Sequence, residues 1–291
     1  MEPYQHTSNV DRTGRSSLIG WVLRPDRGLL RFTGADALEF LHALVTNDVA
    51  SLSPGESRDA VYLTPQGRMI TDLRIFRADN DVLVSVPVEL AAVLAMRLDF
   101  LIFAEDVQVA DASHRIHEIT LIGATMSHTK DMFFERTSQA AVCAELVADG
   151  LPELDAADVE AMRIEAGHAR WGVDMNEETI PLEAGLLERA ISQTKGCYVG
   201  QEVIVRILHR GAGRVAKRLM KLVFGPDQVE VPAAGTPITI DGAEVGKVTS
   251  AARSRRLGRV IALGYVQRQD ANDGTAVMIG SAHAVIDGAA T

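Results

Sequence analysis

With 291 residues, 47% of them hydrophobic and 23% charged, the chain has the make-up of a globular protein. At about 100–200 residues per domain it is long enough for two or three. A net charge of −10 argues against a general nucleic-acid role, and two cysteines exclude a disulfide framework or an unaided four-thiolate metal site.

The chain starts MEPYQHTSNVDRTGRSS, which is polar and lacks the apolar core of a signal peptide. The most apolar long stretch is broken by Arg97 and Asp99, so no membrane partner and a cytoplasmic setting are expected. Residues 18–34 read as a hairpin, two short apolar runs around the turn cluster Pro25-Asp26-Arg27-Gly28. A helix follows, with Thr33 as its cap answered by Asp36, and with Leu38, Leu41, Leu44 and Val45 as its apolar stripe. Residues 57–87 read as three strands separated by Thr64-Pro65-Gln66-Gly67 and Ala78-Asp79-Asn80-Asp81. A helix over 88–103 and a strand over 107–111 come next. Later, LPELDAADVEAMRIEAG predicts a helix capped by Asp155 and stopped near Gly167. Beyond about Val215 the texture becomes all-β. Its clearest hairpin turns at Asp241-Gly242, a type I′ pair, and the boundary falls near 214–218.

Three groups of residues carry chemical possibilities. Cys197 stands beside Gly196 in KGCYVGQE, Lys195 to Glu202. A flanking glycine allows an exposed thiol, and Lys195 and Arg206 are candidates to favour its thiolate. The competing reading is a small residue buried in a tight turn. Cys143, among apolar helix neighbours, reads as structural. Residues 203–222 hold Arg206, Arg210, Arg214, Lys217, Arg218 and Lys221 and no acid, which suggests an anionic ligand as readily as a solvated face. Arg210-Gly211-Ala212-Gly213 has neither a Walker lysine nor a dinucleotide fingerprint. Asp72, among apolar strand neighbours, and Glu165, at the end of a helix two residues after Arg163, are carboxylates able to hydrogen-bond a heterocycle or simply to pair with Arg74 and Arg163. No metal-ligand spacing is present.

The octet Lys195-Gly196-Cys197-Tyr198-Val199-Gly200-Gln201-Glu202 resembles the K-G-C-Y-x-G-Q-E signature of the YgfZ-type folate-binding proteins, relatives of the glycine cleavage T-protein. FTGADALEFLHALVTNDV, PQGRMITDLRIF, RIEAGHARWGVD and IPLEAGL agree with the same family in order, so the resemblance covers most of 18–221. It implies an α+β fold: two α+β subdomains and a C-terminal β-barrel around a tetrahydrofolate pocket. The corresponding boundaries are 1–215, with an inserted part roughly over 55–150, and 216–291.

The resemblance further implies that Glu165 holds the pterin, that Asp72 lies near the reactive folate nitrogens, and that Cys197 is a functional thiol. Arg206, Arg210 and Arg214 of the basic stretch are expected to meet the folate's polyglutamate tail, and Trp171 is a candidate to stack on its ring, a role that no matched motif supports. The implied ligand is tetrahydrofolate or a one-carbon derivative. The implied role is assembly or repair of iron–sulfur enzymes, with those enzymes or cluster-assembly proteins as partners. The alternative is a folate-dependent aminomethyl transferase that uses Asp72. The T-protein lacks the octet, whereas some YgfZ-type proteins lack an acid at position 72. The chain therefore combines marks of both.

Overall fold

Strand β4, Met69–Arg77, shows how the sequence builds its sheets. Met69, Thr71, Leu73 and Ile75 are buried, while Ile70, Asp72 and Arg74 alternate with them on a half-buried face. In the computed structural model, which describes residues 18–126, 128–211 and 213–291, the chain forms two units. The polar opening stretch and Ala212 of the glycine-rich segment lie outside the described residues.

Among the described residues the first unit holds 18–62, then Thr71–Asp155 and Ser192–Val199. Its strands are β1 (Leu18–Leu23), β2 (Arg27–Thr33), β3 (Ser57–Leu63), β4, β5 (Val82–Pro87), β6 (Gln108–Asp111), β7 (Ile116–Gly123) and β8 (Thr129–Glu135). Its helices are α1 (Ala37–Leu44), α2 (Ala91–Asp99) and α3 (Gln139–Ala148). One sheet runs β3-β4-β5-β2-β6 and the other β1-β7-β8. Every residue of β5 is buried, as a central strand covered on both faces requires. The tip of the β3–β4 hairpin, Leu63–Ile70, clusters with the second unit.

Three expectations need correction here. Residues 18–34 are not a hairpin: β1 pairs with β7, and β2 pairs with β5 and β6. The turn does form, with the Arg27 N–H donating to the Arg24 carbonyl at 3.1 Å, but the strands diverge into different sheets. Two apolar runs around a turn fit a crossing between sheets as well as a hairpin. The N-cap of α1 is Asp36, not Thr33, and it makes no side-chain cap bond. Finally, α2 ends at Asp99. The Leu101 and Ile102 N–H groups instead reach back three residues to Leu98 and Asp99, tightening the chain into turns.

The second unit comprises Leu63–Ile70, Ala156–Ile191 and Gly200–Thr291. It carries α4 (Ala156–Ala166), α5 (Leu187–Ala190) and α6 (Gln201–Val205). Its strands are β9 (Lys217–Phe224), β10 (Pro237–Ile240), β11 (Ala243–Ser254), β12 (Arg259–Gln267), β13 (Ala276–Ile279) and β14 (Ala282–Ala289). They close into a barrel in the order β10-β11-β12-β9-β14-β13, leaving no free sheet edge. Leu222, Phe224, Ile238, Val248, Val260 and Ile286 fill its interior. Asp241 and Gly242 turn with φ of 50° and 82°, the type I′ geometry that their sequence predicts. The observed fold is thus α+β with a closed C-terminal barrel. Among the described residues no helix is long and apolar enough to cross a membrane.

Candidate functional site

Asp72 projects from the half-buried face of β4. Arg27 Nη1 donates to its Oδ2 at 2.9 Å, and Arg27 is itself fixed through Ser85 Oγ at 3.0 Å and the Ser85 carbonyl at 2.7 Å. Asp72 Oδ1 is buried and has no hydrogen-bond partner among the described residues. Such an acceptor is costly unless something donates to it. Behind this pair, Ser85 Oγ donates to Glu118, which is buried. Burial, and then the charge of Asp131, push the Glu118 carboxyl up. Arg74 spans Asp131 and Asp59 rather than Asp72. Residues two apart on a strand share a face, but Arg74 finds its acids on β8 and β3.

Glu165, near the end of α4, accepts from Ser254 Oγ on one oxygen and from Arg256 Nε, at 2.6 Å, on the other. Arg163 does not pair with it, because residues two apart on a helix point away from each other. Arg163 is instead buried in a network with Glu160 at 2.8 Å, Asp174 at 2.7 Å and Ser250 Oγ at 3.0 Å. Trp171 is half-buried and forms a short backbone bridge with Met175. Arg206, Arg210 and Arg214 are exposed, the first two in a wide helical turn that follows α6. Asp72 belongs to the first unit, while Glu165, Trp171 and the arginines belong to the second.

The octet divides its labour. Lys195 Nζ donates to the carbonyls of His42, of Val45 at 2.6 Å and of Asn47 at 3.3 Å, thereby closing the C-terminal end of α1. Its ammonium also lies 5.3 Å from the Tyr198 ring centroid, and Tyr198 is buried. The ammonium expected to favour a Cys197 thiolate is thus committed to carbonyls. Cys197 itself is exposed, which removes the reading of a small buried residue. Gly200 sits at φ 84°, and a Cβ there would lie 2.5 Å from the Thr64 carbonyl oxygen. Gly200 is the N-cap residue of α6, with Gln201 and Glu202 in its first turn. Among the described residues no group of three or more His, Cys, Asp or Glu is placed to hold a metal ion.

Burial pushes the Lys195 ammonium down to about 8 from 10.5. The unfolded chain therefore binds this proton more tightly, and between those two pH values it carries more of it than the folded chain. Stability contributed by this site is expected to rise with pH across that window. Urea midpoints measured in steps from pH 8 to 10.5 should climb less steeply in Lys195→Met than in the parent. Parallel curves would show that the carbonyls hold Lys195 charged throughout.

Sequence reasoning missed Arg27, Ser85 and Glu118. In the sequence Arg27 is a turn residue, and no local pattern links it to β4, β5 and β7.

Residues 217–288 match the family model of the glycine cleavage T-protein C-terminal barrel domain. A chloroplastic protein of Arabidopsis thaliana named as a transferase is 26% identical over 87% of this chain, and the chain spans only 66% of it. Aminomethyltransferases of Rubrobacter xylanophilus and a Synechocystis strain are each 27% identical; the alignments cover 82% and 85% of this chain, and 73% and 77% of theirs. The crystal structure of glycine cleavage system aminomethyltransferase T from Bartonella henselae superposes with a TM-score of 0.79 at 19% identity, covering 94% of this chain and 86% of that one. The superposition shows the fold. Together these likenesses support the T-protein superfamily. The narrower YgfZ-type resemblance rests on the octet.

Proposed function

We propose that the chain binds a reduced folate and acts on its one-carbon unit as a transferase of the T-protein type. The observation that carries this reading is Asp72: one carboxylate oxygen is clamped by Arg27 and the other is buried without a donor among the described residues. Bound tetrahydrofolate would supply nitrogens that carry the one-carbon unit and N–H groups that suit such an acceptor. Arg27 orients the carboxylate, and Oδ1 is the atom at which a proton is accepted or held. Glu165 would hold the pterin. Its two oxygens each accept one bond in the protein and have lone pairs to spare. The names of the relatives favour this reading over the assembly role.

Isothermal titration with tetrahydrofolate tests it. Glu165→Ala is expected to weaken binding by roughly 5- to 150-fold, since a lost buried acceptor costs about 1–3 kcal/mol. Failure of the parent chain to bind would sink the reading. Polyglutamylated folate should bind more tightly than the monoglutamate through Arg206, Arg210 and Arg214. The gap should close as salt is raised, because exposed pairs are screened over about 8–10 Å. Equal affinities at low salt would free the arginines for another ligand.

A second reading keeps the folate and replaces turnover with assembly or repair of iron–sulfur enzymes. The exposed Cys197 within the octet favours it. One thiol holds no cluster alone, so this reading needs a client enzyme or a cluster-assembly partner.

A further inference from the structure

Helix α2 is apolar on two sides. Ala91, Leu94 and Leu98 face the core, whereas Val93 and Met96 are 58% and 68% exposed. The exposed stripe continues past the helix to Phe100 and Phe103, at 90% and 97%. Large aromatics so fully in water are unusual on a monomer's surface and mark interaction sites when they cluster.

This one is held in place. Glu105 accepts from the N–H groups of Phe103 and Ala104 at 2.9 Å each. A reciprocal clamp then fixes the loop base: the Asp106 N–H donates to Asp36 at 2.8 Å, and the Ala35 N–H donates to Asp106 at 3.1 Å. The loop thus orders its backbone while presenting two phenylalanines to solvent. Around the stripe the exposed charges are mostly acids: Asp36, Glu89, Asp99, Glu105 and Asp106. The neighbouring cation, Arg97, has its guanidinium 5.4 Å from the Tyr62 ring centroid.

We propose that this stripe docks a partner protein whose own face carries apolar side chains rimmed by lysine or arginine. The charges select among occupants. Two copies of the chain meeting stripe to stripe would bring like acids together, and an anionic membrane would be repelled in the same way. A cationic rim is attracted to the acids and, once seated, brings its apolar centre over Phe100 and Phe103.

The probe is a synthetic amphipathic helical peptide with leucine on one face and lysine on the other, followed by fluorescence anisotropy. The parent chain is expected to bind it, and Phe100→Ser/Phe103→Ser to bind at least ~10-fold more weakly, as for loss of central aromatic anchors. An analogue with glutamate in place of lysine should not bind. Because both phenylalanines are solvent-exposed, the double variant should melt at the parent's temperature. Asp99→Lys supplies a second variant, with a charge suited to a helix C-terminus, and it too should weaken the lysine peptide. Equal binding of both peptides, or no change in either variant, overturns the proposal. So does concentration-dependent self-association, or binding to phosphatidylglycerol vesicles, that is abolished by the double variant.

Discussion

Asp72→Asn is expected to abolish folate-dependent methylene or aminomethyl transfer in vitro, by about 10²–10⁴-fold in rate, while leaving a folded chain. The asparagine preserves shape. It removes the charge that Arg27 faces and, with the amide oxygen turned to Arg27, puts an NH2 donor where Oδ1, which has no donor among the described residues, had been an acceptor. Cys197→Ser is the necessary companion, because it nearly conserves volume at an exposed position. The transferase reading predicts that transfer survives Cys197→Ser. The assembly reading predicts the opposite pattern: folate binding is intact in Cys197→Ser, no transfer is detected in any variant, and iron–sulfur enzyme activity is not restored in deficient cells. A Cys197→Ser protein that complements fully, beside transfer that depends on Asp72, would close the case for the transferase.

The second large effect is on stability. Gly200→Ala places a side chain at φ 84° with its Cβ 2.5 Å from the Thr64 carbonyl oxygen. The left-handed conformation alone costs a non-glycine residue about 1–3 kcal/mol, and the collision adds to it because both sides are backbone. Gly258→Ala is the control. It too has positive φ, 68°, but a Cβ there meets nothing within 4 Å. Urea denaturation should give a cost of about 1 kcal/mol at Gly258 and about 3 kcal/mol or more at Gly200. Equal costs would mean that the Thr64 turn yields freely.

The parts of the fold that were legible from sequence are those specified locally. Asp241-Gly242 announces its turn because few other residues tolerate positive φ at both places, and β4 announces itself by alternation. The parts that were not legible depend on residues far apart in the chain. Whether β1 and β2 pair with each other or part company is decided by β5 and β7, which offer better partners than the short hairpin does. The site divides in the same way. The octet and Asp72 can be picked out by residue type and resemblance. The clamp on Asp72 cannot, because Arg27 sits in another strand and its own anchor, Ser85, in a third. Lys195 misled for a related reason. Its charge suggested chemistry beside the thiol, and three carbonyl oxygens at the end of α1 claim it instead.

The contact at Gly200 reaches beyond its own motif. The Cβ that Gly200 lacks would also lie 3.3 Å from the Gly67 Cα, and a Cβ on Gly67 would strike Val203 at 2.7 Å. The turn Thr64–Gly67 and the second half of the octet therefore constrain one another's drift. A bulkier residue in one is tolerated only if the other withdraws, so substitutions at these two places are expected to arise together or not at all. Thr64–Gly67 and Gly200–Val203 thus fit together as two halves of one discontinuous turn, which a pattern confined to the octet captures only in part.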